Sequence, residues 1–188
     1  MRKTSKKHLS SLRDDVLAGI PRPVPRDFAA IIGALRDFAC QRADGRSVEV
    51  VYRRFPPSTV SGLLVETDDR VIIAVEESTN PTHQLLIFTH ELGHLLMGHC
   101  HDHKDADTPA LRAAARALGD DFDPSEVVAV LAARTNFGRR EEHDAERFAV
   151  MLTAALQQHV EQGPSSPAYG LAGRLQSSLG PRGRGLDR

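Results

Sequence analysis

The chain has 188 residues, of which 40% are hydrophobic and 26% charged, so it is long enough to bury the core of one globular domain. Its net charge of −1 does not indicate electrostatic binding to nucleic acid. No apolar stretch of the sequence is long enough to span a bilayer. The two cysteines, Cys40 and Cys100, are far apart, so no disulfide framework is expected and a reducing cytoplasm is the predicted location.

Residues 1–25 are predicted to form a basic, flexible N-terminal segment with only a weak helical pattern. The basic start is not followed by an apolar run, which argues against a secretory signal. Pro21, Pro23 and Pro25 disfavour regular structure and mark a linker into the first core element.

The first core elements are a helix and three strands. Asp27 to about Arg42 is predicted to be an amphipathic helix, because its apolar residues recur at spacings of three and four. Three β-like runs follow at Val48–Phe55, Val60–Glu66 and Arg70–Val75, and Asp68-Asp69 is the predicted hairpin turn between the last two. We therefore expect a small sheet of about three strands that is mostly antiparallel.

A second helix is predicted from Asn80-Pro81 to about His99. Asparagine is a favoured N-cap, and proline is well tolerated in the first helical turn. Gly93 lies inside this helix, where glycine costs about 1 kcal/mol relative to alanine. A glycine retained there indicates that a strand, a ligand or another group approaches the helix closely.

This helix carries the most informative motif of the chain, H-E-x-x-H at His90–His94. Residues four apart share one helical face, so His90 and His94 can bind a single Zn²⁺. Glu91 follows the first histidine and can reach an activated water without binding the metal. The pattern therefore predicts a zinc hydrolase with Glu91 as general base.

The C-terminal half is predicted to be helical before it becomes polar. Helices are expected near Pro109–Leu118, over Pro124–Arg134 and from Arg139 to about Val160. The last of these has one apolar face, formed by Ala145, Phe148, Ala149, Leu152 and Leu156. Residues 26–160 are thus predicted to form the catalytic domain, and residues 161–188 a disordered tail rich in Gly, Pro, Ser and Arg.

A third zinc ligand is needed, because catalytic zinc usually takes three protein ligands and keeps one position for water. The acidic start of the last helix, over 141–149, is the better source, since a carboxylate beside an apolar face is costly unless it is paired or bound to metal. The other candidates are the histidines of the loop at His99, His101 and His103, beside Cys100. That cluster is too tight for tetrahedral spacing, and an exposed loop is the preferred interpretation.

The two motifs together, H-E-L-G-H-L-L and E-x-D-A-x-x-F-A-x-x-L, resemble those of the ImmA/IrrE family of zinc metallopeptidases, which is similar to the gluzincins. The resemblance covers roughly residues 27–156. It implies that His90, His94 and Glu142 are the zinc ligands and that Glu91 is the catalytic glutamate. The implied fold is α+β and zincin-like, with the small sheet packed on the H-E-x-x-H helix and several further helices.

The chain departs from the family pattern at two positions. Asp144 stands where the family has a second Glu, and Glu146 where it has Asn or Asp. Asp144 is therefore the alternative third ligand to Glu142. Glu146 lies one helical turn after Glu142 and is expected to orient one of the histidines.

The predicted function is zinc-dependent hydrolysis of a peptide bond in one specific protein. An extended substrate is expected to pair with an exposed strand, for which Arg70–Val75 is the candidate. The resemblance implies that the substrate is a helix-turn-helix repressor or antitoxin, and hence a role in transcription regulation or a toxin–antitoxin pair. It is expected to be a separate protein, because residues 1–25 are too few for a helix-turn-helix domain.

Two alternatives remain from the sequence. The protein could be a toxin or regulatory component that binds a partner repressor through the zinc fold with little or no proteolysis. Alternatively, the zinc could be structural, with a fourth ligand from the His99–His103 loop. The presence of Glu91 favours the enzyme, because a pure binding module has no use for a general base.

Overall fold

The computed structural model of the protein describes residues 6–55, 60–99, 118–119, 127–132 and 139–161. Within them the chain forms four helices: α1 (Lys6–Gly19), α2 (Phe28–Cys40), α3 (Pro81–Met97) and α4 (Arg139–Glu161). It also forms four strands: β1 (Ser47–Arg53), β2 (Gly62–Thr67), β3 (Arg70–Glu76) and β4 (Val127–Ala132). The strands make one mixed sheet in the order β1-β3-β2-β4, which confirms the predicted α+β class.

The two central strands form the predicted hairpin. β2 and β3 are antiparallel neighbours, and Asp68-Asp69 connects them. The Thr67 hydroxyl lies 2.7 Å from Asp69 Oδ1 and accepts a hydrogen bond from the Arg70 amide, which stabilises the turn. Every residue of β2 and the five inner residues of β3 are buried, so this hairpin is the centre of the sheet.

The sheet is not antiparallel throughout, because β1 pairs with β3 in parallel. Pro56-Pro57 follows β1 in the sequence and is incompatible with a tight β1–β2 hairpin, which needs backbone conformations and amide donors that proline lacks. β2 therefore pairs with β3, which follows it in the hairpin, and β3 lies between β2 and β1 in the sheet. Two of the three strand pairs are antiparallel.

The fourth strand corrects one sequence prediction. The helix predicted for Pro124–Arg134 is wrong, because Val127–Ala132 pairs antiparallel with β2 as β4. The segment reads V-V-A-V-L-A, a continuous apolar run with three valines. Periodicity cannot distinguish such a run from a buried helix, and β-branched residues favour the extended form once an edge strand is available.

The predicted substrate-binding strand is also wrong. β3 is hydrogen-bonded to β1 on one side and to β2 on the other, so neither of its edges can accept another strand. Within the described residues, the outer strands of the sheet are β1 and β4. Addition of an extended peptide to this sheet would have to use one of those two strands.

Helix α3 begins after its predicted cap, Asn80, and α2 begins after Asp27, the first residue of its predicted range. Asp27 Oδ1 accepts a hydrogen bond from the Ala30 amide at 2.8 Å, and Asn80 Oδ1 accepts one from the His83 amide at 3.0 Å. α2 packs on β1 and α3 packs on β2 and β3, so both helices contribute to one core. α3 ends at Gly98, whose φ of 69° is the left-handed conformation that glycine adopts at helix C-termini.

The N-terminal segment contains an ordered helix, in contrast to the flexible segment expected from the sequence. α1 packs against α4 and α2, and its Leu9 and Val16 are fully buried. These two residues belong to the weak apolar pattern that the sequence shows between its charged residues. Burial of these apolar residues against α4 explains why the segment forms a stable helix.

Close contact between α3 and α4 explains the glycine inside the motif. A β-carbon at Gly93 would lie 2.9 Å from Cδ1 of Phe148 and 3.6 Å from the Cα of Ala145. The group that approaches α3 closely is therefore a second helix. A buried hydrogen bond also joins the two helices, because the hydroxyls of Thr89 and Thr153 lie 2.9 Å apart.

Replacement of Gly93 by alanine is expected to destabilise the protein by up to about 2 kcal/mol. The added methyl group would overpack the contact with the fully buried Phe148, which typically costs about 1–3 kcal/mol and outweighs the gain in helix propensity of about 1 kcal/mol. Chemical denaturation measures the difference. Gly33→Ala in α2 is the matched control, because nothing lies within 4 Å of its added methyl group and stabilisation is expected. Equal effects of the two substitutions would contradict the close-packing argument.

Several predicted features lie outside the described residues. They include His101, His103, Cys100, the tail beyond Glu161 and all of the helix near Pro109–Leu118 except Leu118, which is buried. Among the helices that are described, none is long and apolar enough to cross a bilayer.

Candidate metal centre

Three of the predicted site residues meet between α3 and α4. His90 and His94 lie one turn apart on α3, and their Nε2 atoms are 3.1 Å apart. Glu142, in the first turn of α4, places Oε1 3.2 Å from His90 Nε2 and Oε2 3.6 Å from His94 Nε2. One ligand atom from each residue lies within 4.8 Å of the other two, so these side chains form a group that could hold a metal ion.

The chemistry of this group fits a divalent cation. Two imidazole nitrogens and one carboxylate oxygen are a known ligand set of catalytic zinc sites. Glu142 Oε2 is buried and makes no hydrogen bond to any described residue, although a buried carboxylate oxygen normally requires a partner. A cation between the three side chains would supply that partner.

Glu91 lies beside the group and points in a different direction from the two histidines. It is buried against the start of β2, where a β-carbon at Gly62 would lie 2.5 Å from Glu91 Oε1. A side chain at residue 62 would displace the carboxylate from this position. β2 and α3 together therefore fix Glu91 next to the predicted ligands.

Burial and neighbouring groups together shift the pKa values of the four titratable groups. Burial raises the pKa of Glu91 to about 8, with a further contribution from Glu142. The adjacent imidazoles, His90 first and His94 second, hold the pKa of Glu142 far below its usual range. Burial lowers the pKa of both histidines, but the hydrogen bond to Glu142 and the nearby carboxylates bring that of His90 above its ordinary value, while that of His94 stays below.

The sequence alternatives on α4 occupy different places from Glu142. Asp144 is not part of the group of convergent ligand atoms. Glu146 lies near His90, and its charge raises the pKa of that histidine, but within the described residues it forms no hydrogen bond or ion pair with either imidazole. The expectation that Glu146 orients a histidine therefore has no contact to support it. His143 is exposed.

A cavity of about 420 Å³ opens beside the group. One wall is apolar and is formed by Leu86, Ile87, Ala149 and Val150. The remaining lining is polar and consists of Ser61, His83, His90, Glu91, Glu142 and Glu146. The volume lies within the range of small-ligand sites, so part of a substrate could reach Glu91 and the convergent side chains.

One contact of the site was not anticipated from the sequence. The Nδ1 atoms of His94 and His99 lie 3.0 Å apart, although the sequence favours an exposed loop at His99. His99 is 9% exposed and does not belong to the group of convergent ligand atoms, so in this position it is not a fourth ligand. The signal that could have revealed this contact is Gly98, whose turn at the end of α3 directs the chain back toward the helix.

The raised pKa of Glu91 predicts that the metal-free protein loses stability as pH rises. Because the folded-state pKa of about 8 exceeds the unfolded value of 4.5, the folded state binds more protons over that interval. The free energy of unfolding should fall by up to ~1.4 kcal/mol per pH unit from this group. In Glu91→Gln this contribution should disappear, and denaturant titrations between pH 5 and 8 measure it. A stability difference between the two proteins that does not change with pH would contradict the prediction.

Comparison with known proteins yields one family. The peptidase M78 family, described as the IrrE N-terminal-like domain, matches residues 43–157, which is more than half of the chain. The matched region contains β1 to β4, the H-E-x-x-H helix and the acidic start of α4. No curated protein and no solved structure gives a significant match.

Proposed function

Because this chain belongs to the IrrE N-terminal-like family of M78 peptidases, we propose that it is a zinc-dependent endopeptidase that cleaves one specific protein. The observation that carries the proposal is the convergence of His90, His94 and Glu142 next to a buried Glu91. His90, His94 and Glu142 would hold the metal. When bound, Zn²⁺ supplies a Lewis acid that brings the pKa of a water molecule to about 7 and polarises a carbonyl group.

Glu91 is the general base of this mechanism. A cation held by His90, His94 and Glu142 would favour the ionised form of Glu91 and so oppose the effect of burial on its pKa. The carboxylate then accepts the proton of the attacking water, and the resulting acid donates it to the leaving nitrogen of the cleaved peptide bond. The contact with Gly62 limits the positions of that carboxylate, which keeps it ready for proton transfer. Burial of an ionisable side chain is costly for a protein that only binds a partner, and this cost favours the enzyme over the binding module.

The cavity indicates how the substrate is held. The apolar wall of Leu86, Ile87, Ala149 and Val150 begins next to Glu91 and can bury an aliphatic or aromatic side chain near the scissile bond. Val150 is 59% exposed and is one of the few large hydrophobic residues on the described surface. Binding of an apolar side chain there would remove this surface from water.

The proposed substrate is a separate helix-turn-helix repressor or antitoxin, and the protein would act in transcription regulation or in a toxin–antitoxin pair in the cytoplasm. This part of the proposal rests on the family resemblance of the two motifs. Its experiment is incubation of the zinc-loaded protein with helix-turn-helix proteins encoded next to it, with and without a chelator. New termini detected by mass spectrometry only in the absence of chelator would support the proposal. Stable complexes without cleavage would favour the binding module instead.

A further inference from the structure

His99 is the first residue beyond the turn that ends α3, and it lies against the second of the proposed zinc ligands. The Nδ1 atoms of His94 and His99 are 3.0 Å apart. The rings are nearly perpendicular, with an angle of 70° between their planes and 5.1 Å between their centroids. Both side chains are buried, with 1% exposure for His94 and 9% for His99. Such a contact between two buried rings requires a defined arrangement of protons.

The two nitrogens of His94 have different partners. Its Nε2 lies among the proposed ligands, 3.1 Å from His90 Nε2 and 3.6 Å from Glu142 Oε2, and its Nδ1 contacts His99. A neutral imidazole carries a proton on one nitrogen and a lone pair on the other. If Nε2 is to bind zinc, the proton must reside on Nδ1. That N–H can then donate only to an acceptor, and the atom facing it is Nδ1 of His99.

We infer that His99 is a positioning residue for the metal site, and this inference rests on the proposed zinc site. Its Nδ1 accepts a hydrogen bond from Nδ1–H of His94, which fixes both the tautomer and the orientation of the ring that presents Nε2 to zinc. The proton of His99 itself then resides on its Nε2. Metal-binding histidines are usually oriented in this way by a carboxylate, a backbone carbonyl or water. Here a second neutral imidazole has that role, so the orienting group adds no negative charge next to the metal.

Zinc affinity tests this inference without any measurement of proteolysis. His99→Leu replaces the ring with an apolar group of comparable size and removes the acceptor. Its zinc affinity, measured by competition with a chromophoric chelator, should be about 10–100-fold lower than that of the wild type. His99→Asn retains an amide oxygen close to the position of Nδ1 and should restore most of the affinity. His159→Leu is the control, because His159 is an exposed histidine near the end of α4.

A second measurement reports the proton positions directly. In the zinc-loaded wild type, long-range ¹H–¹⁵N correlations of the histidine rings should show His94 protonated on Nδ1 and His99 protonated on Nε2. Thermal unfolding of the metal-free variants should show that they are folded. It also separates a change in zinc affinity from loss of structure.

The outcomes distinguish this inference from the proposed function. Wild-type zinc binding together with unchanged affinity in His99→Leu, or a proton on Nδ1 of His99, would overturn the inference alone. Equal losses in folded His99→Leu and His99→Asn would also overturn it, because a retained acceptor should restore binding. A wild-type chain that binds no zinc would overturn the proposed function and this inference together.

Discussion

Replacement of Glu91 by glutamine is expected to reduce peptide hydrolysis by roughly 10²–10⁴-fold, the usual contribution of a general base, while zinc binding is retained. Glutamine has nearly the same shape as glutamate and can occupy the space beside Gly62, but it cannot accept the proton of the attacking water. Cleavage, by the zinc-loaded proteins, of the helix-turn-helix proteins encoded next to this chain measures the change, with new termini identified by mass spectrometry.

Two comparisons make the Glu91 experiment decisive. Glu49→Gln changes a half-exposed carboxylate on β1, away from the cavity, and should leave cleavage unchanged. Bound zinc, measured by atomic emission, should remain near one per chain in all three proteins. Cleavage by Glu91→Gln at the wild-type rate would exclude Glu91 as the base. No cleavage by any of the proteins, together with capture of a neighbouring repressor, would support the binding module.

Replacement of His94 by alanine is expected to remove the metal. His94 contributes one of the three convergent ligand atoms and is almost completely buried, so water is poorly placed to substitute for it. The loss of zinc affinity should exceed the 10–100-fold typical for residues that only orient a ligand. Zinc at 100 times its dissociation constant should stabilise the wild type by about 2.7 kcal/mol, and this stabilisation should be absent from the variant. Calorimetric titration and thermal unfolding with and without zinc measure the two effects.

A matched pair of substitutions on α4 identifies the third ligand. Glu142→Gln should lower zinc affinity strongly, because Glu142 faces both histidines. Asp144→Asn should leave the affinity close to that of the wild type, since Asp144 is outside the convergent group. The reverse result would show that Asp144 is the ligand. His143→Ala, which removes the exposed neighbour of both residues, controls for general changes at the start of α4.

Local signals predicted α2, α3 and the β2–β3 hairpin. The caps Asp27 and Asn80 determine where the two helices begin, and each makes the hydrogen bond that its side chain favours. The hairpin also depends on neighbouring residues, with Asp68-Asp69 between two apolar runs. Such features depend on contacts within a few residues, and one sequence contains the information needed to predict them.

Features that depend on distant partners were less predictable. The run Val127–Ala132 is apolar throughout, and only pairing with β2 makes it a strand rather than a helix. The spacing of His90 and His94 is local, whereas the approach of Glu142 results from the packing of α4 on α3. The apolar face of α4 indicated its acidic start as the source of the third ligand, and only the family pattern assigned this role to Glu142. The contact of His99 with His94 was missed because a polar sequence after a helix gives no indication of where the chain turns.

The position of Gly62 beside Glu91 indicates that the H-E-x-x-H helix alone would not be sufficient for the reaction. A peptide that contained only α3 would still present two imidazoles on one face, yet its acid would move freely in solvent. In the folded chain, a strand that begins twenty-nine residues before Glu91 lies against this acid, and its first residue, Gly62, leaves the space that the carboxylate occupies. We therefore expect short designed peptides with the same five-letter motif to chelate zinc but to cleave poorly, unless a backbone segment is added to enclose the glutamate.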